Sequence, residues 1–205
     1  MRADVAHRGT IGPRTILAAT ITLIVAVGAL AWWLVLPEVR TTAGPLETPG
    51  IEGTSFSMEV GHTGHWGKTV VINRGDKDAT IDSIRALDVP DGLQILQMLV
   101  AGPKRKHLYM GGSRTWPDPY LTDLRPAAGA TVAPVDKPEG ARGAEIVLVV
   151  RPTKPGRYVL SRLEITYRVG RHKHRRVVRG VLALCGNTVP WRKAPACELP
   201  DDVPE

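Results

Sequence analysis

The histidines are the residues of this chain whose spacing most directly suggests chemistry. His62-Thr63-Gly64-His65 forms a His-x-x-His, and His172-Lys173-His174 forms a His-x-His. On a strand, residues two apart point to one face, so His172 and His174 suit a single copper or zinc ion. A glycine-flanked loop carrying His62 and His65 would complete a four-nitrogen site if the two stretches converge. Against this, Arg171, Lys173, Arg175 and Arg176 crowd the second pair with positive charge, which opposes a cation. The plainer expectation is solvated histidines on polar loops, with no cofactor. Cys185 and Cys197 are the only two cysteines. In an oxidising compartment they are expected to pair, and closing so short a loop stabilises by about 3 kcal/mol in the chain-entropy model. That bridge would staple the segment containing Trp191 back onto the preceding strand. Thiol-redox chemistry is not expected, because no Cys-x-x-Cys is present.

Charge supplies the other candidate site. The chain holds 27 Lys and Arg against 20 Asp and Glu, a formal charge of +7. Between Arg151 and Arg179 the only acid is Glu164. A surface formed by Arg168, Arg171, Lys173, Arg175 and Arg176 would attract an acidic partner protein, anionic lipid or a wall polyanion. The alternative is a solvated edge hairpin whose charges block strand-to-strand pairing. Tyr109, Trp116 and Tyr120, in the long irregular region Pro103–Gly143, would extend the contact surface or anchor that region to the core. Lys104-Arg105-Lys106 reads as a solvated turn, and the glycine of Arg74-Gly75-Asp76 is explained by its place after a strand. An enzyme is not expected: there is no Gly-x-Ser-x-Gly elbow, no glycine-rich phosphate loop, and the acids are scattered.

The elements that position these residues follow from hydropathy. From Thr15 to Leu36 the chain carries no charge. As a helix this stretch spans about 33 Å, enough for a hydrocarbon core of roughly 30 Å. Trp32 and Trp33 stand near its end, Pro37 stops it, and Arg2, Arg8 and Arg14 precede it. The positive-inside rule then puts residues 1–14 in the cytoplasm and the rest outside, anchored by one uncleaved span. Ala29-Leu30-Ala31 offers the rival of signal-peptide cleavage, which the continuing apolar run through Leu36 opposes. Residues 37–53, rich in Pro, Gly and Thr, read as an extended stalk. Residues 54–198 read as one folded ectodomain, and 199–205 as an acidic disordered tail.

Within 54–198, short apolar runs alternate with turn signals. Strands are expected at Ser55–Val60, Lys68–Asn73, Ala79–Val89, Leu93–Val100 and, weakly, His107–Met110. Ala144–Arg151, apolar on both faces, reads as a central buried strand. In Arg157–Val169, a stripe of Val159, Ser161, Leu163, Ile165, Tyr167 and Val169 alternates with polar residues, the period of a half-solvated strand. Gly170-Arg171 suits a two-residue hairpin turn leading to a partner at His172–Leu184. The expected fold is all-β, an antiparallel β-sandwich.

Two stretches, Val70–Gly75 (VVINRG) and Lys154–Val169 (KPGRYVLSRLEITYRV), carry a resemblance. The chain resembles the immunoglobulin-like β-sandwich ectodomains of single-pass membrane-anchored proteins of GC-rich, actinobacterial-type bacteria. It departs from antibody-type domains, because its two cysteines stand too close together near the C-terminus to join two sheets. The resemblance implies binding or assembly rather than catalysis. The leading expectation is a plasma-membrane protein with a cytoplasmic N-terminus, displaying a non-catalytic binding module. The alternatives are an extracytoplasmic copper or zinc protein, and an accessory subunit of a larger membrane complex. Nucleic acid is not an expected partner, since the basic stretch lies outside the cell and lacks interleaved aromatics.

Overall fold

The computed structural model describes residues 39–40, 44–49, 53–105 and 111–199. The expected cytoplasmic tail, the apolar span 15–36 and the Ala31 cleavage site lie outside the described residues. So do Lys106, the strand expected at His107–Met110 with its Tyr109, and the tail from residue 200. Among the described residues no helix is long and apolar enough to cross a membrane.

The described chain is all-β. Its strands are β1 (Val39–Arg40), β2 (Leu46–Glu47), β3 (Thr54–Glu59), β4 (Gly64–Asn73), β5 (Ala79–Ala86), β6 (Leu93–Ala101), β7 (Gly111–Ser113), β8 (Leu124–Pro126), β9 (Thr131–Val132), β10 (Ala144–Pro152), β11 (Gly156–Val169) and β12 (His172–Asn187), followed by a single 3-10 turn at Trp191–Lys193. They form two sheets. One runs β1-β12-β11-β5-β9, with β3 also on β12; the other runs β2-β4-β10-β6-β8, with β7 also on β4. All pairings are antiparallel except β1 and β3, which lie parallel to β12. Side chains of both sheets join one core, among them Met58, Ile81, Ile165 and Leu184 from the first and Trp66, Val71, Ile146 and Leu148 from the second. This is a β-sandwich, as the alternating apolar runs predict.

β11 and β12 form the longest hairpin. Gly170 sits at φ 58°, and Arg171 is not among the residues of positive φ, which is a type II′ turn. The inner face of β11 differs from the expected stripe. The register with β12 shifts between Leu160 and Arg162. Gly180 and Val181 of β12 therefore stand against the single Ser161, a bulge on β12, and the side-chain parity of β11 reverses beside it. Tyr158 and Leu160 are buried before the bulge, and Leu163, Ile165 and Tyr167 after it. Val159 and Ser161, placed on the buried stripe by strict alternation, are only half-buried. At the start of β11 the Tyr158 hydroxyl donates to the Lys154 carbonyl at 2.6 Å. Gly92 makes room for it: at φ 89°, a Cβ there would stand 2.8 Å from that hydroxyl.

The folded unit also begins before residue 54. Leu46 is fully buried, its N–H donates to the Tyr167 hydroxyl at 3.3 Å, and β2 pairs with the end of β4. The described part of the expected stalk is therefore built into both sheets. Two-residue strands carry no periodicity, so composition alone reads them as linker.

Candidate functional site

β10 is buried on both faces, as its sequence predicts. The reason lies in the 114–123 segment. β7 flanks β4 at one edge of the second sheet and β8 flanks β6 at the other. The ten residues between them must therefore cross the outside of the sheet, over β10. This strap covers His65, which pairs across the ladder with Val149 and Ser113. His65 Nδ1 lies 3.4 Å from the Thr115 carbonyl, Nε2 lies 3.9 Å from Asp118 Oδ2, and the ring meets Trp116 edge-on at 6.0 Å. A carbonyl only accepts, so the neutral ring carries its proton on Nδ1. Burial pushes the imidazole below its usual range, against the opposing influence of Thr115 and Asp118. Trp116 thus anchors the strap, while Tyr120 is 77% exposed.

The two histidine pairs of the metal alternative do not converge. His65 and Asn73 stand at opposite ends of β4, roughly 25 Å apart at the rise of a strand. Leu46 pairs with Asn73 and bonds Tyr167, which stacks on His174 at 5.2 Å. His174 and its neighbour His172 thus belong to the far end from His65. His62 lies 3.3 Å from Glu59 at the surface. Among the described residues no group of three His, Cys, Asp or Glu side chains is placed to hold a metal ion.

The basic hairpin is more neutral than its sequence. On the outer face, Arg168 pairs with Asp82 at 2.8 Å and Arg162 with Asp88 at 2.7 Å. Glu164, on β11, is held from both sides: Arg85 of β5 at 2.6 Å and Arg175 of β12. Burial pushes the Glu164 carboxyl up, but the bonds from Arg85 and Arg175 outweigh it and hold it below the usual carboxylate range. Arg176 stands opposite Ile165, so it shares the inner face rather than the outer one. Of the five cations expected on the contact surface, Arg171, Lys173 and Arg176 keep no acidic partner among the described residues, and of these Arg171 and Lys173 lie off the inner face. Lys104-Arg105-Lys106 is not simply a solvated turn either. Arg105 is fully buried, donates to the carbonyls of Gly102, Arg142 and Gly143, and lies 3.5 Å from the equally buried Glu145 of β10.

A different patch meets the description of a contact surface. Cys185 and Cys197 form the expected disulfide. It fixes the loop after β12, which Ser57 Oγ also holds by donating to the Pro195 carbonyl at 3.0 Å. On that loop Trp191 is 44% exposed. The Arg114 guanidinium lies over its ring at 4.1 Å, itself pinned by donating to the Ser57 carbonyl at 2.6 Å, and Arg192 approaches at 5.5 Å. Exposed Val189 and Lys193 flank it. Sequence reasoning reached Trp191 only through the disulfide. Arg114, 77 positions away, carried no signal.

No family model matches the chain, and no curated protein matches it. Among solved structures it is similar to one described as the structure of Vibrio cholerae VesB protease, with a TM-score of 0.33 and 8% identity over 69% of this chain. The chain spans 32% of that chain, and at this TM-score the likeness says nothing about chemistry.

Proposed function

We propose that the chain is a membrane-anchored, non-catalytic module with an immunoglobulin-like ectodomain that binds an acidic protein surface through the patch around Trp191. The immunoglobulin-like reading is supported by the strand order: β2-β4-β10-β6 matches the A-B-E-D sheet of that fold, and β12-β11-β5 its G-F-C sheet. Tyr158, at the start of the F-equivalent strand and bonded to a carbonyl four residues upstream, matches the tyrosine corner of such domains. The anchor reading rests on the uncharged run Thr15–Leu36.

The observation that carries the binding reading is Trp191, half-exposed under the Arg114 guanidinium on a disulfide-fixed loop. Tryptophan and arginine dominate binding energy at interfaces, and a loop rigid before binding loses less entropy on contact. Arg114, Arg192 and Lys193 give the patch its positive sign, which selects acidic partners. The test is association in native membranes. Trp191→Ala weakens the complex by about 30-fold, the effect of a hot-spot residue, whereas Val177→Ala, on the outer face of β12, leaves it unchanged. Equal retention by both variants overturns the assignment of the patch.

A further inference from the structure

We infer that Arg114 is a preformed receptor for one carboxylate, that of an aspartate or glutamate side chain of the partner lying beside an apolar group. This rests on the reading of the Trp191 patch as a contact surface and names the group that the patch recognises. A guanidinium carries five N–H donors in one plane. In Arg114 the Nε–H is taken up by the Ser57 carbonyl at 2.6 Å, and the flat face of the group lies on the Trp191 ring at 4.1 Å. The hydrogens of Nη1 and Nη2 have no acceptor among the described residues. Both anchors are fixed. Ser57 stands opposite Cys185 in the ladder of β3 with β12, and Trp191 rides on the loop that the Cys185–Cys197 disulfide closes. The half-buried side chain is therefore in place before a ligand arrives, and little rotamer entropy is lost on binding. Its free Nη edge presents parallel donors, which match the two oxygens of a single carboxylate.

Ion pairing elsewhere in the chain points the same way. Arg85, Arg162, Arg168 and Arg175 each hold a carboxylate, whereas Arg114, fixed as firmly, holds none among the described residues. The acids close to it in sequence or along β3 face other groups. Asp118 of the strap lies 3.9 Å from His65, and Glu59 of β3 lies 3.3 Å from His62. Glu198, exposed beyond the disulfide, makes no ion pair among the described residues. Arg192 approaches the same indole at 5.5 Å, and with exposed Lys193 it raises the local potential for an anion. Exposed Val189 and the rim of Trp191 offer the apolar surface beside the fork. A guanidinium stacked on an indole is also weakly hydrated, so a carboxylate displaces little bound water to reach it.

The experiment labels arginines of the full chain in detergent micelles with phenylglyoxal, at constant ionic strength, and follows each site by mass spectrometry. Benzoate, a carboxylate on an apolar ring, is the probe, and benzamide is its neutral isostere. With benzoate at about ten times its Kd only the free fraction reacts, so Arg114 labelling slows about tenfold. Benzamide leaves the rate unchanged, and Arg74, already paired with Glu47 at the far end of β4, serves as internal reference. In native membranes Arg114→Lys, which keeps the charge and removes the fork, weakens association about tenfold. Equal Arg114 labelling in benzoate and benzamide, with Trp191→Ala still weakening association, overturns the carboxylate fork and leaves the patch standing. Full association of Arg114→Lys reduces Arg114 to a point charge and overturns the fork as well. An association indifferent to Trp191→Ala overturns the patch reading, and the partner's carboxylate with it. Deleting residues 200–205, which carry Asp201, Asp202 and Glu205, leaves Arg114 labelling unchanged. A faster rate in that deletion assigns the fork to the chain's own acids and overturns the external ligand.

Discussion

Replacing Arg105 by Met tests the architecture that carries the strap. The guanidinium donates through Nη1 to the Gly102 and Gly143 carbonyls at 3.0 and 2.9 Å and through Nη2 to that of Arg142 at 2.6 Å, and Nε lies 3.5 Å from Glu145 Oε2. Both side chains are fully buried. Methionine keeps most of the stem volume, so the loss is electrostatic: the buried carboxylate loses the Arg105 cation and three carbonyls lose a donor. Removing one partner of a buried pair costs about 3–5 kcal/mol. The loop carbonyls can turn toward water, which puts the sum near 4 kcal/mol, a large share of the roughly 5–15 kcal/mol that holds a domain together. At about 2–4 °C per kcal/mol, the midpoint should fall by roughly 12 °C. The assays are thermal unfolding, which reads the temperature midpoint, and urea unfolding, both of the full chain in detergent micelles followed by tryptophan fluorescence. The single variant should lower the midpoint without changing the slope, while Arg105→Met with Glu145→Leu recovers most of the loss, because an apolar pair replaces a buried ionic one at little cost. A single variant within about 1 kcal/mol of wild type, or a double variant no better than the single, would refute the reasoning.

Three further outcomes follow from the same contacts. Tyr158→Phe leaves the Lys154 carbonyl without its donor and should cost about 1 kcal/mol in urea unfolding, with the fold retained by circular dichroism. Cys197→Ser opens the 12-residue separation to Cys185 and should cost about 3 kcal/mol, measured under non-reducing conditions against wild type. Acid titration should show two losses of stability. His65 resists the proton that the unfolded chain accepts near pH 6.5, so its contribution is full above that value and is lost as pH falls toward the depressed folded value; His65→Gln flattens this part of the profile. Glu164, ionised below its ordinary 4.5 by Arg85 and Arg175, contributes above 4.5 and loses that contribution as pH falls through its folded value; Glu164→Gln removes this second step.

Much of the sandwich is legible in the sequence where a signal is local. The apolar run of β10, the Gly170 turn and the alternation of β11 after Ser161 all follow from residues a few positions apart. What escapes is whatever depends on a distant partner. A single bulge in β12, opposite Ser161, goes with the exchange of Val159 for Leu160 on the inner face, and nothing in the period-2 pattern of β11 marks it. Leu46 is buried by strands far along the chain, so its Pro- and Gly-rich neighbourhood misreads as stalk. The hairpin's charge excess is a local sum, whereas Asp82 and Asp88, which neutralise Arg168 and Arg162, stand 86 and 74 positions away. The contact patch fails for the same reason, since Arg114 meets Trp191 only after the strap folds.

Site-specific photocrosslinking in intact cells tests the binding patch most directly. A benzophenone side chain is placed at Trp191 in one full-length variant and at Val177, exposed on the outer face of β12, in another. A covalent adduct of defined mass is expected from position 191 and none from position 177. No adduct at 191, or the same adduct from both positions, would contradict it.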